Sequence, residues 1–397
     1  MINREKYLEK LKFFKDKKLI KVITGIRRCG KSTLLKLYSE YLRNEGVKKS
    51  QIISINFEDP DFDELTDYKK LYEYLKSKLK DNLQTYIFLD EIQNVSNFEK
   101  AIDGLYIKDN VDLYITGSNA YFLSSELATL LSGRYIEVKM LPLSFKEFLS
   151  GNDNNIDIAT KYREYIENGS FPYILELDGK KEQIKEYLSG IYNTVVLKDI
   201  ASRKKISDIS MLESVIKFMF DNIGNISTSK KISDTMTSNG RKISYHTVEN
   251  YLSALCESFI LYKANRFDVK GKQFLETQEK YYLADIGLRY FLLGSKYVDA
   301  GRILENIVYL ELIRRGYEVY IGKVGNLEVD FVAVKNGDIK YFQVSQTVLD
   351  ETTLKRELNS LYKIKDNYPK YLLTMDNLPN VSHDGIMQLY VLDWLKE

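Results

Sequence analysis

The segment that most constrains the fold of this chain is Gly25–Ser32, which reads Gly-Ile-Arg-Arg-Cys-Gly-Lys-Ser. It fits the phosphate-binding loop pattern G-x-x-x-x-G-K-[ST] in full. The apolar run Leu19–Thr24 before it predicts a strand, and the amphipathic stretch Ser32–Leu42 after it predicts a helix. A phosphate-binding loop needs this setting, because its backbone N–H groups and the first turn of the helix face the phosphates together.

The pattern of strand followed by helix continues beyond this loop. Further strands are predicted at Gln51–Phe57, Thr85–Leu89 and Leu113–Thr116, with a helix at Leu71–Leu79. This alternation is typical of an α/β fold with a mostly parallel sheet covered by helices on both faces. Proline and then polar residues follow Leu141, so we expect a P-loop NTPase domain over residues 1–145.

Residues at the strand ends predict a site for ATP and Mg²⁺. Lys31 is expected to reach the β and γ phosphates, and the Ser32 hydroxyl and the Asp90 carboxylate to bind Mg²⁺. The alternative for the glycines is a tight strand–helix turn that binds no ligand. ATP is favoured over GTP, because the guanine-reading N-K-x-D signature is absent. The residues predicted to bind nucleotide are Gly25, Ile26, Arg27, Arg28, Cys29, Gly30, Lys31, Ser32 and Thr33.

Three further polar residues are candidates for the hydrolysis step. Glu91, directly after Asp90, is expected to orient or deprotonate the attacking water. Ser118 and Asn119 follow the strand that ends at Thr116, where they could touch the γ-phosphate or that water.

The composition argues against several other classes of protein. No run approaches the eighteen or so apolar residues that a membrane helix needs. The N-terminal segment is charged and lacks the apolar stretch of a signal peptide, so we expect a cytoplasmic protein. Two cysteines, Cys29 and Cys256, do not suffice for a disulfide framework. The net charge of +2 does not decide whether nucleic acid is a partner.

Several motifs together resemble a group of archaeal and bacterial AAA+ ATPases in which a domain of unknown function follows the ATPase domain. They are GIRRCGKST, FLDEIQ, ITGSN, Leu131–Tyr135 and Leu141–Phe148, and the likeness covers essentially the whole chain. The resemblance implies that ATP is hydrolysed to ADP and phosphate. It also implies that Arg134 is an arginine finger acting on ATP in a neighbouring subunit, and hence a homo-oligomer. A surface arginine or a salt bridge is the alternative for Arg134.

The middle of the chain is predicted to form a helical lid or linker over residues 146–204, and it resembles a winged helix-turn-helix over residues 205–298. Ser244 can cap a helix whose apolar face includes Val248 and Leu255. Two strands then flank a basic turn. If this segment binds DNA, the helix would lie in the major groove and Lys242, Lys270 and Lys272 would contact phosphates. A lid or a protein-binding module is the alternative.

Residues 299–397 resemble an α/β restriction-endonuclease-like domain. Glu305 and Asp330 match two metal-binding acids of that fold, but Gln343 stands in place of the third acid and Ser345 in place of the lysine. A lysine could come from another position, such as Lys323 or Lys340. The pattern therefore favours an inactive nuclease domain, in which Glu305 and Asp330 are relics or salt-bridge partners.

Three functions are compatible with these features. The first is an ATP-driven motor or remodeller that works on DNA or on a DNA-bound complex. The second is a nucleotide-gated oligomeric switch that acts on a protein partner. The third, a nuclease controlled by the ATPase, is weakened by Gln343 and Ser345.

Overall fold

The computed structural model describes residues 2–80, 83–117, 131, 133–151, 156–177, 179–194, 200–203, 206–271, 273–294 and 299–397. Contacts divide the chain into a first unit, Met1–Pro142, and a second unit, Leu143–Glu397. Within the described ranges, no helix is long and apolar enough to cross a membrane.

The first unit is an α/β domain built on one parallel sheet. Its five strands run in the order β2-β3-β4-β1-β5, and all four neighbouring pairs are parallel. This confirms the predicted P-loop NTPase fold, to which the structure adds one strand, β5, that the sequence did not reveal. The elements are α1 (Glu5–Phe13), β1 (Ile20–Thr24), α2 (Lys31–Asn44), β2 (Ile52–Asn56), α3 (Tyr68–Lys78), β3 (Thr85–Asp90), α4 (Phe98–Tyr106), β4 (Val111–Thr116) and β5 (Tyr135–Lys139).

The three central strands, β1, β3 and β4, are buried along their whole length. Strands buried on both faces are close to continuously apolar, which is why these segments were readable in the sequence. Because they are parallel neighbours, their carboxyl ends meet at the same edge of the sheet. The chain continues from that edge into the loop at Gly25 and into Glu91. The fold thus brings the predicted phosphate loop and the predicted acids together.

The second unit begins with helices and ends with a mixed sheet. The helices that precede the sheet are α5 (Phe145–Ser150), α6 (Ile158–Asn168), α7 (Lys181–Ile191), α8 (Ile200–Arg203), α9 (Ile209–Asp221), α10 (Ser229–Ser238) and α11 (Tyr245–Glu257). The remaining elements are β6 (Leu261–Asp268), β7 (Gln273–Leu283), α12 (Ile286–Leu293), α13 (Ala300–Arg314), β8 (Glu318–Val324), β9 (Leu327–Lys335), β10 (Asp338–Ser345), α14 (Glu351–Tyr362), β11 (Lys370–Thr374), β12 (Val381–His383), β13 (Ile386–Tyr390) and α15 (Val391–Lys396).

The eight strands form one sheet in the order β12-β13-β11-β10-β9-β8-β6-β7. The β6–β7 hairpin is antiparallel, and β6 also pairs in parallel with β8 at residues 266–268. Phe267 and Val269 belong to the same apolar core as Val324 and Val329. The hairpin that was predicted as a wing is therefore continuous with the C-terminal sheet. The three helices and two strands occur in the expected order, while their assignment as a winged helix and the boundaries at residues 204 and 298 stay predictions.

Candidate functional site

The loop at residues 25–30 has the backbone geometry of a tight turn. Gly25 has a φ of +145°, and a Cβ there would lie 2.1 Å from the carbonyl oxygen of Met140. No other residue fits without moving the backbone. Gly30 has a φ of +102° and directly precedes α2. The two glycines of the motif thus allow the chain to fold back and present backbone N–H groups at the helix N-terminus.

Arg4, which belongs to none of the predicted motifs, stabilises this loop through hydrogen bonds. Its guanidinium donates to the carbonyl oxygen of Cys29 at 2.9 Å and to that of Leu141 at 2.6 Å. Arg4 is 3% exposed, and its guanidinium also lies 4.9 Å from the ring centre of Tyr7. One buried side chain therefore links the phosphate loop to the segment after β5. Glu5 and Lys6, which follow it, are charged as well, so no local pattern distinguishes Arg4.

Lys31 begins α2 and points back into the loop. Its Nζ donates to the carbonyl oxygen of Gly25 at 3.3 Å and lies 3.7 Å from Oε1 of Glu91. The lysine is 4% exposed. A buried ammonium held by a loop carbonyl and a carboxylate is placed to contact an anion bound in the same loop.

Asp90 receives two side-chain hydroxyl groups. Ser32 and Thr116 both donate hydrogen bonds to its carboxylate, the latter to Oδ1. Burial raises the pKa of Asp90, while these two hydrogen bonds and the charge of Lys31 act in the opposite direction. A buried carboxylate with little compensating charge beside a serine hydroxyl fits the oxygen ligands that Mg²⁺ prefers.

Glu91 lies in the left-handed region, with a φ of +54°. Its backbone N–H donates to Oγ1 of Thr116 at 2.9 Å, and its Oε2 accepts a hydrogen bond from Nε2 of Gln93. Gln93 lies in FLDEIQ and Thr116 in ITGSN, but neither was predicted as a site residue. Strand register could have revealed Thr116, because Leu89 pairs with Ile115 and Asp90 and Thr116 come next along the two strands.

The remaining loop residues differ in exposure. Ile26 and Cys29 are fully buried, and burial raises the pKa of the Cys29 thiol. Arg27 forms an ion pair with Glu58, with Nη2 and Oε1 2.6 Å apart, and Arg28 is exposed. Thr33 is half-buried on α2. Ser118 and Asn119 lie outside the described residues.

Arg134 precedes β5, at the end of the sheet opposite to the phosphate loop. Its carbonyl oxygen accepts from Ile20 N at the start of β1, whereas the loop follows the end of β1. The guanidinium lies 2.7 Å from Oδ1 of Asp103 and 4.9 Å from the ring centre of Tyr106. The structure therefore shows an intrachain salt bridge, which was one of the two alternatives for Arg134. Action on a neighbouring subunit stays a prediction.

In the second unit, Glu305 on α13 and Asp330 on β9 meet a lysine that the sequence motifs did not point to. Nζ of Lys280 lies 2.9 Å from Oε1 of Glu305 and 2.8 Å from Oε1 of Glu328. Tyr282 also donates to Oε1 of Glu305, at 2.7 Å. Burial acts to lower the pKa of Lys280, but the charges of Glu305, Asp330 and Glu328 outweigh it and raise that pKa.

The other predicted residues of this cluster are engaged with the protein itself. Oδ2 of Asp330 accepts from Val344 N at 2.8 Å, and burial raises the pKa of Asp330 well above its ordinary range. Gln343 donates to Glu357 at 2.9 Å and accepts from Asp330 N at 3.3 Å. Ser345 donates to the carbonyl oxygen of Thr347. In the described part of the chain, no group of three or more His, Cys, Asp or Glu side chains is arranged to hold a metal ion.

The candidate DNA contacts are at the surface where they are described. Lys242 is exposed before α11, and Lys270 is exposed in the β6–β7 turn. Oδ1 of Asp268 accepts from Lys270 N and Gly271 N, both at 3.0 Å, and so shapes this turn. Lys272 lies outside the described residues.

Comparison with known proteins gives matches over both units. An AAA domain matches residues 17–149, and a domain of unknown function (DUF8612) matches residues 159–299. An uncharacterised protein of Haemophilus influenzae is 43% identical over 402 residues, which cover 100% of this chain and 98% of the relative. The uncharacterised protein MJ1544 of Methanocaldococcus jannaschii is 33% identical over 378 residues, which cover 90% of this chain and 80% of the relative.

Among solved structures, this chain is similar in fold to the Walker-type ATPase PABY2304 of Pyrococcus abyssi. The TM-score is 0.50 at 17% sequence identity, and the match covers 74% of this chain and 96% of that protein. At this identity the likeness shows a shared fold.

Proposed function

This chain belongs to the AAA family of P-loop ATPases, and we propose that its first unit binds ATP with Mg²⁺ and hydrolyses the ATP to ADP and phosphate. The observation that carries the proposal is the meeting of Lys31, Asp90 and Glu91 at one edge of the parallel sheet, beside a loop that only glycine at position 25 permits. Family membership supports the ATPase, and the contacts within this edge support the roles of individual residues.

The phosphates would bind to the backbone N–H groups of residues 25–33 and to Lys31. Lys31 now contacts the Gly25 carbonyl and Glu91, and both contacts are with oxygen atoms. A phosphate oxygen would give this ammonium a charge-assisted hydrogen bond, which is shorter and stronger than its present bond to the neutral Gly25 carbonyl oxygen. Ser32 and Asp90 would hold Mg²⁺, which supplies positive charge to the β- and γ-phosphate oxygens.

Glu91 would act on the attacking water. The water oxygen bonds to the γ-phosphorus, the bond to the β–γ bridging oxygen breaks, and the water proton passes to the Glu91 carboxylate. ADP leaves with the bridging oxygen, and the proton is then lost to phosphate or solvent. Positioning and charge stabilisation account for most of the catalysis in reactions of this type. Ser118 and Asn119 are proposed to contact the γ-phosphate or the same water.

For the second unit, we propose binding rather than DNA cleavage. Lys280 places a protein cation between Glu305 and Glu328, close to the acids that would otherwise hold Mg²⁺. A metal ion would have to displace a buried ammonium that these carboxylates already neutralise. The cluster therefore supports a salt-bridge role for Glu305 and Asp330.

DNA, or a complex bound to DNA, is the partner that we propose for this unit. The support is the exposed position of Lys242 and Lys270 and the order of helices and strands from α9 to β7. Against it, the exposed face of α11 carries His246 and Glu249, with Nδ1 and Oε2 3.5 Å apart, and offers no arginine. A nucleotide-gated switch that acts on a protein partner is the alternative.

The test is steady-state ATP hydrolysis with Mg²⁺, with and without DNA, for wild type and for Glu91→Gln. Turnover that is lost in Glu91→Gln supports the ATPase, and stimulation by DNA supports DNA as the partner. Turnover that ignores DNA favours the switch. Mg²⁺-dependent DNA cleavage that Asp330→Ala abolishes would contradict the binding role of the second unit.

Binding is tested separately with Lys31→Ala. We expect loss of ATP binding with the fold intact, because the variant removes the ammonium that faces the phosphates. Lys36→Ala is the matched control, since Lys36 lies on the same helix with its side chain exposed. Normal nucleotide affinity in folded Lys31→Ala would exclude the phosphate-loop assignment.

A further inference from the structure

Gln93 lies two residues after Glu91, on the single 3₁₀ turn Ile92–Asn94. The turn starts from Glu91 with φ and ψ of 54° and 46°. This left-handed conformation costs a non-glycine residue on the order of 1 kcal/mol and persists only where its surroundings enforce it. It turns the chain so that Nε2 of Gln93 donates back to Oε2 of Glu91. The backbone conformation is thus coupled to a contact between these two side chains.

The two halves of the Gln93 amide differ in their surroundings. The nitrogen is used by Glu91, whereas the carbonyl oxygen, Oε1, is buried and has no donor within hydrogen-bonding distance among the described residues. A buried acceptor without a donor costs roughly 1–3 kcal/mol. Such an atom in a native protein calls for a donor from outside the chain, such as a water molecule or a ligand.

The two oxygens of Glu91 also differ. Oε2 accepts from Gln93, while Oε1 lies 3.7 Å from Nζ of Lys31, the residue expected to contact the γ-phosphate. Oε1 is therefore the oxygen on the phosphate side of the carboxylate. A carboxylate acts as a base efficiently only if its orientation is fixed, and the Gln93 amide provides that restraint.

We propose that Gln93 is a catalytic residue of ATP hydrolysis, whose nitrogen fixes Glu91 and whose carbonyl oxygen accepts a hydrogen bond from the attacking water. The water then has two acceptors, Oε1 of Glu91 and Oε1 of Gln93. Its oxygen attacks the γ-phosphorus, the proton that faces Glu91 is transferred, and the proton that faces Gln93 stays on the product phosphate. The proposal rests on the ATPase function proposed above.

The competing explanation is that Gln93 only stabilises the turn and the orientation of Glu91, without contacting the attacking water. The test distinguishes this structural role from the catalytic one. Gln93→Met keeps the length of the side chain but removes both polar atoms. Asn94→Ala is the matched control, because it alters the same turn through a different contact, from Nδ2 to the carbonyl oxygen of Phe57 at 3.1 Å. For each variant we would measure kcat, the Kd of a non-hydrolysable ATP analogue, and the Kd of ADP with aluminium fluoride, which imitates the phosphoryl group under attack.

In Gln93→Met we expect kcat to fall roughly 10- to 100-fold. The affinity for ADP with aluminium fluoride should fall by a similar factor, while the ATP-analogue Kd stays within about twofold, since the water contact exists only during attack. Asn94→Ala should leave all three quantities near wild type. Gln93→Glu, which keeps an acceptor but repels Glu91, should also lose turnover and provides a second variant if the methionine variant folds poorly.

Wild-type kcat in Gln93→Met would overturn the proposal. So would an equal loss of affinity for the ATP analogue and for ADP with aluminium fluoride, because that result indicates a purely structural role for Gln93. These outcomes leave the ATPase itself intact if Glu91→Gln still abolishes turnover. Wild-type protein without ATP hydrolysis would overturn both proposals together.

Discussion

The hydroxyl group of Thr116 donates to Oδ1 of Asp90 and accepts from the backbone N–H of Glu91. One side chain at the end of β4 therefore contacts both acids at the end of β3. Both acids are buried, so neither bond is readily replaced by water.

Replacing Thr116 with valine keeps the shape of the side chain and removes both hydrogen bonds. Because the buried Asp90 carboxylate then loses one of its two hydroxyl donors and the buried N–H of Glu91 loses its acceptor, the free energy of unfolding should fall by roughly 1–3 kcal/mol. ATP turnover should fall as well, since Asp90 and Glu91 lose their common restraint. Urea unfolding and steady-state hydrolysis measure the two effects. Thr116→Ser retains the hydroxyl and should recover most of both; equal behaviour of the two variants would contradict the role of the hydroxyl group.

Arg4→Met should weaken ATP binding, although Arg4 is not among the residues that we propose to contact the phosphates. The variant keeps an apolar stem against Tyr7 but loses the hydrogen bonds to the carbonyl oxygens of Cys29 and Leu141. The loop is then less well ordered, and we expect the Kd for ATP to rise roughly tenfold, which corresponds to about 1.4 kcal/mol. Fluorescence titration with labelled nucleotide measures it. Lys6→Met, at an exposed position in the first turn of α1, which begins directly after Arg4, should bind ATP normally.

Arg134 is either an arginine finger for a neighbouring subunit or only the partner of Asp103 in a salt bridge. An experiment that mixes two variants distinguishes these roles. If Arg134 acts on a neighbouring subunit, Arg134→Ala should lower kcat roughly 10³-fold. Adding inactive Lys31→Ala protein should then restore part of the turnover, because a mixed interface joins an intact loop to an intact arginine. If only the bridge to Asp103 matters, turnover should stay unchanged and stability should fall by about 0.2–1 kcal/mol. Asp103→Asn is the control, since it breaks the bridge and keeps the arginine.

Lys280→Met should destabilise the second unit, because it leaves Glu305, Glu328 and Asp330 without their cation. Loss of one partner of a buried ion pair costs roughly 3–5 kcal/mol. Lys263→Met is the matched control, because its pair with Glu279 is more exposed, with 44% of the lysine side chain accessible. For Lys263→Met we expect the free energy of unfolding to fall by about 0–1 kcal/mol. Thermal unfolding of the two variants measures the difference, and equal effects would contradict the role assigned to Lys280.

The effect of Lys280→Met should also depend on pH. The pKa of Lys280 is raised in the folded protein, so its contribution is fully present below the ordinary lysine value, about 10.4, and is lost only as the pH rises through the folded value. The pKa of Asp330 is raised as well. A carboxyl group with a raised folded pKa lowers stability as the pH rises above about 3.9. Without the lysine, the loss of stability should therefore be larger at pH 8 than at pH 5.

The phosphate loop and the parallel sheet were predictable, because eight consecutive residues and continuous apolar strands encode them. Lys280 was not. The sequence suggested Lys323 or Lys340 as the lysine of the acidic cluster, since both lie within the C-terminal strands. Lys280 reaches Glu305 only because β6 pairs with β8 and thereby adds β7 to the sheet. Pairing between strands that are distant in sequence leaves no local pattern, and the same holds for Arg4 and its contact with Leu141.

The β6–β7 hairpin, which joins the C-terminal sheet through β8, also limits where the chain can be divided into separately expressed fragments. A fragment that starts at residue 299 would omit β6 and β7, expose an edge of β8 and remove Phe267 and Val269 from the apolar core. Open edges of that kind promote aggregation. A fragment that stops near residue 298 would leave the hairpin without the strand that it pairs with. Expression of either half alone should therefore give insoluble protein, and exchange of parts between relatives should succeed only when the hairpin and the C-terminal strands are transferred together.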